Sequence, residues 1–203
     1  MSILIFNLNK KDDVVNKVAD KIYLSLTDEK YETEIIELSG ESLLDLKFTE
    51  MAQDPNVLVF VAHGNSDPSR DLSILDMGLN NMLGLQEQEI NNPVILGQLV
   101  PKIDNPFLVV YVSCNLESAQ TIDSFYHHEA CLGTVSSSEM IHICQTDAIA
   151  ELIKKLECFI LANKTSNAML SKAVNNFVKA NPECPNFRFY PCIRVTETDV
   201  IEE

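Results

Sequence analysis

His63 and Cys114 are the two residues whose types and settings best fit them for chemistry. A thiol attacks as its thiolate, and an imidazole within reach can accept and return the proton, so the pair suits nucleophilic acyl transfer. Each stands at the end of an apolar run. Residues 57–62 (Val-Leu-Val-Phe-Val-Ala) lead into His63-Gly64, and residues 107–112 (Phe-Leu-Val-Val-Tyr-Val) lead into Ser113-Cys114-Asn115. As neighbouring parallel strands of an open α/β sheet, these runs would bring imidazole and thiol together at their carboxyl ends, where such sheets carry their sites. Gly64 has no Cβ, so a substrate backbone can come close. Its N–H and that of Cys114 are the expected oxyanion donors.

The elements that must position the pair alternate between strand and helix patterns, which predicts an α/β fold with a mostly parallel sheet in a three-layer α/β/α sandwich. Residues 2–7 read as a strand and 12–26 as an amphipathic helix, with Val14, Val15, Val18, Ile22, Tyr23 and Leu26 on one stripe. A strand over 31–38 and a short helix over 42–51 precede the run ending in His63. From Asn65 to Pro93 the periodicity fades, which predicts a long loop over 65–93. Residues 97–103 and 117–129 read as helices flanking the strand that carries Cys114. A strand over 131–137, helices over 146–161 and 166–179, and a last strand over 187–195 complete the order, with an acidic tail at 197–203.

Bulk properties set the frame. A chain of 203 residues with 46% hydrophobic content suits one domain spanning 1–203. No run approaches the roughly 18 apolar residues of a membrane span, and residues 1–6 enter a strand without a basic leader. A cytoplasmic protein that does not engage membranes is expected. The six cysteines are expected as free thiols. A net charge of −15 with three arginines argues against a nucleic-acid partner. A basic polypeptide remains an electrostatically reasonable partner or substrate.

An apolar block ending in His-Gly, with a block ending in Cys 51 residues after the histidine, resembles the caspase-like cysteine peptidases. Within that group the chain is most similar to the bacterial CHAT domain. Val-Val-Tyr-Val-Ser-Cys-Asn-Leu-Glu at 109–117 looks like that domain's strand ending in Ser-Ala-Cys-Glu-Thr. Residues 132–137 resemble its following strand, and 159–166 with Ala173 resemble its closing helix–turn–helix. The likeness covers residues 57–178. The chain departs from the pattern at Ser113 and Asn115, where the CHAT domain has Ala and Glu, and it lacks the Gln-Ala-Cys-x-Gly signature of caspases proper.

The resemblance implies a caspase-hemoglobinase-like fold, a His63/Cys114 dyad, endopeptidase activity with neither metal nor other cofactor, and a place in a bacterial signalling or defence system. It also implies a separate regulatory subunit, such as a repeat protein. Enzymes of this fold that cut after Lys or Arg place a carboxylate in the first pocket, which makes Glu139, Asp67 and Asp71 the pocket candidates. Arg70 is the basic residue that would instead suit an acidic preference.

Three other readings carry different expectations. An inactive caspase-fold interaction protein would keep the dyad without using it. A zinc site would draw on His127, His128, Cys131, His142 and Cys144, although no Cys-x-x-Cys spacing occurs. A flavodoxin- or receiver-type binding domain would want a phosphate cradle or an acceptor Asp. The loop after the first strand and the residue at 63 supply neither.

Overall fold

The runs most continuously rich in Val, Ile, Leu and Phe form the centre of the sheet, because only a strand covered on both faces can bury every side chain. The computed structural model describes residues 3–9, 11–27, 31–37, 54–67, 72–76, 97, 100, 102–114, 116, 125 and 127–192, with the backbone alone for 65–67 and 72–76. Among these, β1 (Ile3–Asn7), β3 (Val57–Val61) and β6 (Phe107–Val112) are buried along their whole length. With β2 (Thr33–Glu37), β7 (Cys131–Ser137) and β8 (Phe187–Pro191) they make a six-stranded sheet in the order β2-β1-β3-β6-β7-β8. All neighbours are parallel except β7 and β8. The expected mostly parallel α/β sheet is present.

Three helices pack on one face: α1 (Asp13–Thr27), α2 (Thr146–Leu161) and α3 (Asn167–Ala180). Their buried residues recur at helical spacing, as in Val15, Val18, Ala19, Ile22 and Leu26 of α1. Ser166 caps α3 by accepting from the Met169 N–H at 3.4 Å. The opposite face holds an aromatic cluster. Phe60 stacks between Phe6 and Tyr111, with centroids 5.1 and 5.7 Å away, and Phe125 tilts against it at 5.9 Å.

Alternation along each strand sorts the two cores. Ile3, Ile5, Val57, Val59, Val61, Leu108, Val110 and Val112 face the helices, while Leu4, Phe6, Leu58, Phe60, Val109 and Tyr111 face the aromatic side. Of the helix expected over 97–103, Gly97 is helical whereas Lys102 and Ile103 are not, so it stops short of Ile103. The helices expected over 42–51 and 117–129 fall wholly or mostly outside the described residues, as does the acidic tail. So does the third layer they would supply.

One expectation is corrected. The segment after β3 does not open as a loop: β4 (His63–Asp67) and β5 (Leu72–Asp76) form a two-stranded antiparallel hairpin, with His63 paired to Asp76 and Asp67 to Leu72. Its first strand, His-Gly-Asn-Ser-Asp, carries no apolar alternation, so its sequence lacks the usual strand signal and the backbone pairing identifies it. The remainder of 65–93 beyond β5 lies outside the described residues. None of the described helices is long and apolar enough to cross a membrane.

Candidate active site

The register of the sheet decides where the two reactive residues lie. β3 and β6 are adjacent and parallel, with Val61 opposite Val112, and the ladder continues one step as the Ala62 N–H donates to Val112 O at 3.3 Å. His63 follows Val61 by two residues and Cys114 follows Val112 by two, so both fall on the helix-facing side at the carboxyl edge. They line one cavity of about 200 Å³ there. The rest of its wall is mainly apolar: Val14, Val15 and Val18 of α1, Val61 and Val112 of the strands, and the Met140-Ile141 segment after β7.

Gly64 accounts for the closeness of the two strand ends. A Cβ at this position would lie 2.2 Å from Ser113 Oγ, 2.4 Å from Cys114 O and 3.2 Å from Cys114 N. The His63-Gly64 backbone therefore rests directly on Ser113-Cys114, as only glycine permits. Ser113 Oγ is buried beneath it and has no hydrogen-bond partner among the described residues.

Each reactive side chain has a polar contact. The Ile141 N–H donates to Cys114 Sγ at 3.3 Å, which fixes the half-buried sulfur at the floor of the cavity. His63 Nε2 lies 3.2 Å from Asp12 Oδ1, with 45% of its side chain exposed. Asp12 also caps α1. The same Oδ1 accepts from the N–H groups of Val14 and Val15 at 2.9 and 3.0 Å, and its own carbonyl accepts from Asn16 N at 3.0 Å. The Val15 N–H above all, then the charge of His63 and the Val14 N–H, hold the Asp12 carboxyl below its ordinary 3.8, outweighing the opposing effect of burial. Buried Asn7 steadies this corner: its amide bonds Asn16 of α1 and its carbonyl oxygen accepts from Asn9 N at 3.2 Å.

Asp12 is the residue that reading the sequence missed. Its type and position announce a helix cap, and nothing local announces a histidine partner 51 residues away. The usable signal was topological. The loop after β1 emerges at the same carboxyl edge as the residue after β3, because the two strands are parallel neighbours.

The other candidates are placed differently. Glu139 is exposed, is not among the cavity's lining residues, and accepts from Asn186 N at 3.1 Å through Oε2. Asp67 ends β4, four residues past His63, and its side chain is not among those described; Asp71 lies outside the described residues, as does Arg70. The histidines and cysteines considered for zinc are dispersed. His128 packs against Phe107 and Phe125 and bonds Gly97 O at 2.7 Å, Cys131 is buried beside Cys192, and Cys144 is exposed. Among the described residues no three His, Cys, Asp or Glu side chains converge to hold a metal ion.

Together these features could perform acyl transfer. A thiol stands at the floor of an apolar cavity, an imidazole held by a carboxylate shares that cavity, and two backbone N–H groups lie at the junction of the strand ends. No known family profile matches the chain, and no curated protein matches it.

Proposed function

We propose that this chain is a cysteine endopeptidase of the caspase-like, CHAT type, with Cys114 as nucleophile, His63 as general acid–base and Asp12 as the residue that positions His63. The observation that carries the reading is the shared cavity: His63 and Cys114 reach it from the carboxyl ends of adjacent parallel strands, on the same face. The mostly parallel sheet with an antiparallel edge strand is compatible with the caspase-hemoglobinase-like architecture that this assignment requires.

In the proposed reaction the Cys114 thiolate attacks the scissile carbonyl carbon, forming a C–S bond as the carbonyl π-electrons move to oxygen. The N–H groups of Gly64 and Cys114 receive that oxyanion. The C–N bond then breaks as protonated His63 gives its proton to the leaving amine. Water, deprotonated by His63, attacks the thioester and releases the acid and the thiolate. Asp12 holds the imidazole in place through Nε2.

A peptide-library cleavage screen comparing wild type with Cys114→Ala tests this, run on the protein alone and with cell lysate to supply an activating subunit. Cleavage that depends on Cys114 is expected. Its absence under both conditions overturns the assignment in favour of a caspase-fold interaction protein. Iodoacetamide at neutral pH should modify Cys114 ahead of exposed Cys144 and Cys158, and His63→Ala should slow that modification by roughly tenfold or more.

A further inference from the structure

The cavity beside Cys114 has a chemistry of its own, and the pocket acids suggested by the sequence are not part of its described wall. We infer that it is the specificity pocket for the residue whose carbonyl Cys114 attacks, and that it takes an uncharged apolar side chain of about the size of Leu or Met. This rests on the peptidase reading and adds the substrate class to it.

The wall is the first argument. Apart from His63, Cys114 and buried Ser113, every described lining residue is apolar, and none carries a fixed charge. Beyond the reacting pair the described wall offers a lysine ammonium or an aspartate carboxylate no opposite charge, so either would give up water uncompensated, which disfavours it. An apolar side chain loses nothing by the same move.

Size is the second. An apolar protein cavity of roughly 150 Å³ accepts a benzene-sized guest. At about 200 Å³, this one fits a branched or thioether side chain.

Continuity is the third. Ile141 donates its N–H to Cys114 Sγ and also lines the cavity, so the pocket begins at the sulfur. Its mouth is flanked by Val14 and Met140, which are 53% and 62% exposed. Two large apolar side chains thus stand in water at the rim of a nucleophile's cavity. Contact with a substrate residue would desolvate them.

The experiment uses the full chain and peptidyl acyloxymethyl ketones that differ only in the residue next to the reactive group: Leu, Met, Ala, Asp or Lys. The Cys114 sulfur displaces the carboxylate, forming a C–S bond as the C–O bond breaks, and mass spectrometry reports the modified peptide. Leu and Met probes are expected to label Cys114 at least tenfold faster than Asp and Lys probes. Ala should fall behind Leu by roughly tenfold or more, since one methylene in an apolar pocket is worth about 10–200-fold.

Met140→Asp places a carboxylate at the exposed rim and should shift the Leu-to-Lys rate ratio at least tenfold toward Lys, with circular dichroism verifying the fold. Equal labelling by all probes, or faster labelling by Asp or Lys, overturns the apolar pocket alone. If neither these probes nor iodoacetamide modifies Cys114 in a His63-dependent way, the peptidase reading falls and the pocket with it.

Discussion

Asp12 Oδ1 meets three groups at once: two helix N–H donors and the imidazole of His63. Substitution can separate these tasks, because Asn caps a helix about as well as Asp whereas Ala does not. Asp12→Asn should keep thermal stability within a few tenths of a kcal/mol while slowing Cys114 alkylation roughly tenfold or more. Asp12→Ala should lose both, with about 1 kcal/mol of stability gone. Equal alkylation rates for wild type and Asn would remove Asp12 from the site.

The pH dependence has a definite sign. A carboxyl whose folded pKa lies below its unfolded value stabilises the fold above that unfolded value and ceases to as pH falls through the folded one. The stability gap between wild type and Asp12→Ala should therefore be full at pH 6 and narrow below about pH 3.8, as measured by urea denaturation. At this scale the sequence disclosed His63 and Cys114 as a pair that meets at one cavity, since each ends an apolar strand. It hid the carboxylate, whose local pattern is complete as a cap and points nowhere else.

The elements were legible in proportion to their periodicity. Helix α2 occupies the expected residues 146–161, because Ile149, Leu152, Ile153, Leu156 and Ile160 leave no other period to choose. The hairpin β4–β5 was invisible because its first strand, His-Gly-Asn-Ser-Asp, carries no apolar alternation to announce it. The cavity was equally unreadable: its wall comes from a helix, two strands and a connecting segment that meet only in three dimensions. At this scale the aromatic side of the sheet is the stabilising counterpart of the site. Phe60 is fully buried and meets three rings, so Phe60→Ala should cost about 3–5 kcal/mol in chemical denaturation. A loss below 1 kcal/mol would show that these rings do not form a packed core.

Over the whole molecule, charge is the dominant feature: 30 acidic against 15 basic residues leave a net −15. Like charges of this number oppose the compact state, and the opposition is long-ranged at low salt, where the screening length is about 30 Å at 10 mM and about 8 Å at 150 mM. Raising sodium chloride from 10 to 200 mM should therefore raise the melting temperature by about 2–4 °C, the equivalent of about 1 kcal/mol for a chain of this size. A fall on adding salt would mean that specific ion pairs outweigh the net repulsion.

The sheet's alternation also bears on how the chain can vary in length. His63 and Cys114 reach the cavity because each follows an inward-facing valine by an even step. Inserting one residue within β3 or β6 would turn the reactive side chain toward the aromatic face, and inserting two would return it. Lineages of such a protein can lengthen freely in the turns between elements, but these two strands admit change only by substitution or in pairs.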